Sequence, residues 1–235
     1  MKLSVIIPTY NEGKTIEKII DKVFLQKNIY EVIIVNDGSN DDTQQKLKSI
    51  AERLLNSKNL KIIAHKKNLG KGAAIKTGIE NVEGDAIIIQ DADLEYNPEE
   101  YSLLLKKYTG QNVVYGSRVL GNNQHAYKRT YLGNITLTWI SNVLFETNLT
   151  DIYTCYKLIP VKIAKKLNLC SHGFEIEAEI TVKLLSMGVK ITEVPITFNP
   201  RHYEEGKKIK AIDALKGISA LLYYKLLSSK KYKTS

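Results

Sequence analysis

Apolar and polar positions alternate along the first half of the chain in two periods. Short β-branched runs bounded by polar turns recur at Leu3 to Ile7, Val32 to Val35, Leu60 to Ala64, Ala86 to Ile89 and Val113 to Tyr115. Between several of them lie longer stretches with helical spacing. Thr15 to Leu25 places Ile16, Ile19, Ile20 and Val23 on one face, and Thr43 to Leu55 does the same with Leu47, Ile50, Leu54 and Leu55. Wholly apolar strands alternating with helices predict an α/β fold with a Rossmann-like, mainly parallel sheet covered by helices on both faces. Ligands in such sheets bind beyond the C-terminal strand ends.

The alternation loosens after about Gly116. Thr130 to Phe145 reads as a helix, Phe174 to Leu185 repeats an apolar face through Ile176, Ile180, Val182 and Leu184, and Val189 to Phe198 is strand-like but interrupted by Pro195. Ala211 to Leu227 predicts a last helix with Ile212, Leu215, Ile218 and Leu222 on one face. Its apolar face could pack on the core or rest on a lipid surface, and the face around Trp139 carries the same two readings. The division expected is a catalytic domain over 1–200 and a basic C-terminal extension over 201–235 containing that amphipathic helix.

Charge sharpens this picture. The 235 residues carry a formal +9, and residues 201–235 alone hold nine Lys or Arg against three acids. An anionic partner is implied, with the preference concentrated in the tail. The aromatics near that tail, Tyr223, Tyr224 and Tyr232, lie in a helix and a chain end, not on the sheet or groove that nucleic acid would need. The longest uncharged stretch, Thr130 to Phe145, is sixteen residues, whereas a membrane-spanning helix needs roughly 20. Two cysteines without a CxxC pair, and an N-terminus entering a strand pattern directly, predict a cytoplasmic protein.

Two glycine-rich segments resemble phosphate loops and fail. For Gly13-Lys14-Thr15 the leading P-loop glycine falls on Pro8; for Gly70-Lys71-Gly72 it falls on His65, and Gly72 stands where Ser or Thr is required. The dinucleotide fingerprint would need a third glycine at Ile75. NLGKGAAIKTGI therefore reads as a turn opening a helix, or as a loop passing close to a ligand.

Candidate chemistry lies at three strand ends: Pro8-Thr9-Tyr10-Asn11-Glu12, Asn36-Asp37-Gly38-Ser39 and Gln90-Asp91-Ala92-Asp93. All three should meet on one sheet edge. Asp91 and Asp93, two apart in an extended segment, would project to the same side and repel unless a hard cation relieves them. Mg2+ or Mn2+ binds through one or two carboxylates while substrate phosphates supply further oxygens, so a diphosphate site is predicted.

The segments VIIPTYNEG, VNDGSNDDT, NLGKGAAIKTG, DADLEYNP and GSR resemble, in order and spacing, glycosyltransferase family 2. TDIYTCYK, GFEIEAEI and EVPITFNPRHYEEGKK are similar to its branch of dolichyl- and polyprenyl-phosphate mannosyl- and glucosyltransferases, so the resemblance covers nearly the whole chain. It implies a GT-A fold and inverting transfer of a hexose from GDP-mannose or a UDP-hexose to a polyprenyl phosphate. Pro8, Tyr10 and Glu12 would border the nucleotide base and ribose, Asp37 would contact one of them, and Lys71 would lie near the donor. Asp93, with Asp91 and Glu95, would hold Mg2+ or Mn2+ on the diphosphate. Arg118 would face the transferred-phosphate region or the acceptor, and Asp151 the acceptor side. Asn36 departs from the acid many relatives carry there, Glu95 from a Gln, and the TCYK segment from a Ser-Gly-Phe sequence.

A lipid phosphate is already ionised near neutral pH and needs cations rather than a base, for which Lys128, Arg129, Arg201, Lys207 and Lys208 are the candidates. A saccharide or protein hydroxyl would instead require a base such as Asp151 or Glu177. Reaching lipid without a span implies peripheral docking on the cytoplasmic face of a membrane, or a membrane-anchoring partner subunit.

Overall fold

The computed structural model describes residues 1–54, 59–121, 123, 128–201 and 211–231, without the side chains of 128–130, 211–215 and 227–231. The first half is built as its periodicity predicts. Strands β1 (Leu3–Thr9), β2 (Ile29–Asn36), β3 (Asn59–Ala64) and β4 (Ala86–Ile89) alternate with helices α1 (Ile16–Phe24), α2 (Thr43–Leu54) and α3 (Lys71–Glu80). β1 and β4 are buried along their whole lengths, which is why their sequences are continuously apolar rather than alternating. Ile16, Ile19, Ile20 and Val23 of α1, and Leu47 and Ile50 of α2, form the buried stripes that cover the sheet. Leu55 lies outside the described residues.

The chain then continues through α4 (Tyr101–Lys107), β5 (Val113–Ser117), α5 (Lys128–Phe145), β6 (Lys157–Pro160), α6 (Val161–Ala164), α7 (Ile176–Ser186), β7 (Ile191–Pro195) and α8 (Ala211–Lys231). Seven strands form one sheet in the order β3-β2-β1-β4-β6-β5-β7. β6 runs antiparallel to β4 and β5, and β7 returns parallel to β5. β6 had no sequence signal: it is four residues long, begins with a lysine and ends with a proline, yet all four are buried.

Because β2, β1 and β4 are adjacent and parallel, their C-terminal ends meet on one edge as expected. The Asp37 amide donates to the Thr9 carbonyl at 2.8 Å, and that of Gln90 to Ile6 at 2.9 Å. Pro8 is accommodated in this central strand because pairing with β4 ends at Ile6–Ile89, before the missing N–H would matter.

A second apolar cluster joins α5, α7 and α8 through Leu137, Ala178, Val182, Ala220 and the fully buried Leu221. One face of the C-terminal helix is therefore core. Its Leu222 and Leu226 are 48% and 67% exposed, and on α5 Leu132, Trp139 and Val143 are 65%, 64% and 60% exposed. No helix among the described residues is long and apolar enough to cross a membrane.

Candidate active site

The first two strand-end loops are fastened to each other. The Asn11 amide donates to Ser39 Oγ at 3.0 Å, the Asn40 amide to Asn11 Oδ1 at 2.9 Å, and the Glu12 amide to Thr43 Oγ1 at 3.0 Å. Pro8 is buried and Tyr10 half-buried at this edge. Asp37, expected to contact a base or ribose, is turned inward and only 2% exposed. Its carboxylate accepts the Leu69 and Gly70 amides at 2.9 and 2.7 Å and meets His65 Nδ1 at 2.6 Å. His65 Nε2 is 2.9 Å from Thr77 Oγ1 on α3. Asp37 thus holds the loop that opens α3, and His65, which bridges Asp37 to Thr77, shares in that work.

Backbone amides of that loop are taken up by protein oxygens: Leu69 and Gly70 by Asp37, Gly72 and Ala73 by the His172 carbonyl. The Gly72 amide donates to the His172 carbonyl at 2.7 Å, so the start of α3 is capped by protein. A Cβ on Gly70 would lie 2.2 Å from the His172 oxygen and one on Gly72 2.3 Å from that of Ser171, which is why small residues flank Lys71. The 170–173 loop is itself held by Glu179, whose carboxylate accepts the Cys170 and Ser171 amides at 2.8 and 2.7 Å. Of the helix opening and the ligand loop, the helix opening describes the backbone, and Lys71 turns its ammonium toward Asp91 and Glu177.

Lys71 Nζ lies 2.7 Å from Asp91 Oδ1 and 3.1 Å from Glu177 Oε1. Burial pulls the Lys71 ammonium down, but Asp91 and Glu177 outweigh it and hold it well above its ordinary value. Burial likewise pushes the Asp91 acid up, and Lys71 more than reverses this. Asp93 differs: burial first, then the Asp91 and Glu95 carboxylates, push it up to about 8 against the pull of Arg201. Arg201 Nη2 is 2.8 Å from Asp93 Oδ2, and Arg201 Nη1 is 3.0 Å from Glu12 Oε2. Glu95 stays near enough to act on Asp93, and its Oε1 accepts the Arg201 amide at 2.8 Å.

The two aspartates therefore lie close but do not share one target, because the strand ends at Ile89 and the chain bends from Ala92 onward. Nor does Glu95 converge with them: among the described residues no group of three His, Cys, Asp or Glu is arranged to hold a metal ion. The donor set fits Mg2+ or Mn2+ in a narrower sense. Asp93 is a crowded carboxylate whose present counter-cation is a guanidinium, and a hard cation there would complete its shell with oxygens from outside the protein.

The floor beneath this bend is a buried layer of hydrogen-bonded and stacked side chains. Gln90 Oε1 accepts the Tyr101 and Tyr156 hydroxyls at 2.7 and 2.8 Å, while Gln90 Nε2 donates to the Asp91 carbonyl at 3.0 Å. Tyr96 packs against Tyr156 and Phe198 at ring-centroid distances of 4.9 and 5.2 Å.

Arg118, at the end of β5, is clamped by Asp151. Its Nε and Nη2 donate to the two carboxylate oxygens at 2.7 and 2.8 Å, and Asn134 on α5 adds a bond to Oδ1 at 2.9 Å. Asp151 is fully buried, and although burial raises its acid, Arg118 more than compensates and keeps it below its ordinary value. Its two oxygens are occupied in holding Arg118. Lys128 and Arg129 start α5 with side chains outside the described residues, and Lys207 and Lys208 lie outside them altogether.

A doubly covered parallel sheet with an antiparallel strand let in beside β4, and paired acids at the central strand ends, is a GT-A-type fold. Glucosyl-3-phosphoglycerate synthase from Mycobacterium tuberculosis, solved in complex with UDP, superposes on it with a TM-score of 0.71 over 95% of this chain and 80% of that one, at 18% identity. The sequence takes the assignment further: residues 4–167 match the sequence model of Glycosyl transferase family 2, and the chain belongs to that family. A dolichol-phosphate mannosyltransferase of Pyrococcus furiosus is 30% identical over 88% of this chain. A dolichyl-phosphate beta-glucosyltransferase of Trichomonas vaginalis is 30% identical over 94% of it. The chain spans 59% of the Pyrococcus relative's length and 72% of the Trichomonas relative's.

Proposed function

We propose that this chain transfers a hexose from a nucleoside-diphosphate sugar, GDP-mannose or a UDP-hexose, to a polyprenyl phosphate at a membrane surface. The observation that carries the choice of acceptor is the state of the two carboxylates that could act as a base. Asp151 is clamped by Arg118, and Glu177 is ion-paired to both Lys71 and Lys157. A hydroxyl nucleophile would need one of them free; a phosphate nucleophile needs neither. The two curated relatives whose names specify dolichyl phosphate point the same way.

Lys71 and Arg201 bracket the Asp91–Asp93 bend, where a diphosphate would exchange for the carboxylates now holding them. Asp91 and Asp93 would hold Mg2+ or Mn2+, whose chemistry is to neutralise charge on the departing diphosphate. Glucosyl-3-phosphoglycerate synthase, which shares the fold, has been solved with Mn2+ and UDP-glucose and with Mg2+ and UDP. Arg118, fixed in direction by Asp151 and stacked 5.2 Å from the Phe198 ring, would orient acceptor phosphate oxygens. The exposed apolar faces of α5 and α8, with Lys128 and Arg129 at the start of α5, suit reversible docking on an anionic bilayer.

The test is transfer of labelled sugar from GDP-mannose, UDP-glucose and UDP-N-acetylglucosamine, each with Mg2+ or Mn2+, into organic-extractable lipid, with Asp93→Ala as control. Labelled polyprenyl phosphate that disappears on chelation and in the variant is the expected result. Metal-dependent donor binding without labelled lipid would move the reading to a hydroxyl acceptor.

A further inference from the structure

Behind the residues that line the site, four charges of alternating sign run inward from the sheet edge. Asp91 pairs with Lys71 at 2.7 Å, and Lys71 lies 3.1 Å from Glu177 Oε1 in the first turn of α7. Glu177 Oε2 in turn accepts a short bond from Lys157 Nζ at the start of β6. Lys157 is fully buried, its ammonium also donating to the Thr154 carbonyl and standing 4.9 Å from the Tyr115 ring centroid. Among the described residues Glu177 is its sole ion-pair partner.

We propose that Lys157 is a positioning residue: by neutralising Glu177 it keeps Lys71 available to the diphosphate of the sugar donor. This rests on the donor reading above and adds a residue to it. With its side chain wholly out of solvent, Lys157 cannot touch a ligand, whereas Lys71 retains 14% side-chain exposure. The Lys157–Glu177 pair has no net charge, so Lys71 responds to Asp91 and to whatever anion lies outside. Without Lys157, Glu177 would be an uncompensated carboxylate in a low-dielectric interior, where attraction over about 3 Å is strong, and it would draw Lys71 inward. Removing both charges would release Lys71 again.

The readout is therefore the affinity for a nucleoside diphosphate relative to its monophosphate, measured by calorimetry with Mg2+ for UDP against UMP and GDP against GMP. Lys157→Met should lower the diphosphate-to-monophosphate ratio about tenfold. The double variant Lys157→Met/Glu177→Gln should return it to within about twofold of the parent. Equal loss of both nucleotides, an unchanged ratio, or no recovery in the double variant would overturn the assignment and leave Lys157 a fold-stabilising residue. Should Lys157→Met fail to fold, Glu177→Gln alone decides: its ratio should rise severalfold, and a fall would overturn the assignment. Failure of the donor reading is separate and visible first, as a parent protein that binds neither diphosphate.

Discussion

Asp151 is fully buried and Arg118 keeps only 19% side-chain exposure, so the carboxylate is tolerable there only because the guanidinium pairs with it. Asp151→Asn would leave the guanidinium with a neutral partner and should lower stability by about 3–5 kcal/mol near neutral pH, measured by urea unfolding. The sign of its pH dependence follows from the depressed Asp151 acid, where Arg118 outweighs the upward push of burial. Stabilisation from a depressed carboxylate is fully present above its unfolded value, about 3.9, and is lost as pH falls through the folded one. The gap between parent and variant should accordingly close on acidification below about pH 4; a gap that persists there would mean that packing, not the ion pair, sets the loss. At this scale the sequence offered residue types but not their partners. Asp37 by itself reads as an ordinary Asp-Gly turn, and only the family resemblance implies a ligand contact there; its bonds to Leu69 and Gly70, 32 and 33 residues on, follow from the packing of β2's end against the start of α3.

Among the elements, the start of α3 and the two exposed helix faces give separable expectations. Gly72→Ala drives a Cβ to 2.3 Å from a backbone oxygen of the Ser171 loop, which cannot swing aside as a side chain would. It should cost about 1–3 kcal/mol and weaken diphosphate binding together, since Lys71 shifts with the helix. Gly133→Ala, with nothing within 4 Å of the added methyl inside α5, should instead stabilise by up to about 1 kcal/mol. Chemical denaturation distinguishes the two. Trp139, the chain's one tryptophan and 64% exposed, reports directly on docking. Its emission should shift to shorter wavelength on anionic vesicles and revert in high salt. Leu226→Ser should weaken vesicle binding without moving the urea midpoint, and an unshifted Trp139 would count against bilayer contact through α5.

For the molecule as a whole, the second apolar cluster makes the C-terminal helix part of the body. Leu221 is fully buried against the α5 and α7 side of the core, so Leu221→Ala should lower global stability by about 2–5 kcal/mol in a single cooperative urea transition. An unchanged midpoint would make α8 a detachable tail. From the sequence by itself came the strand–helix alternation, the parallel sheet, the gathering of three polar strand ends and the apolar stripes of α1 and α2. Each is a local property: a period of two or of 3.6, a turn residue, or the order of elements along the chain. Tertiary structure alone decided which acid meets which base. Asp93 and Arg201 are 108 residues apart, and Glu177, a candidate base in sequence, meets Lys157 from a different element 20 residues away. β6 was invisible for a related reason: its apolar pair Leu158-Ile159 is flanked by a lysine and a proline, and that lysine is buried only because Glu177 meets it. Periodicity is written within a segment, whereas charge pairing at a site depends on how distant segments cross, and that crossing is set by the shape of the packed core.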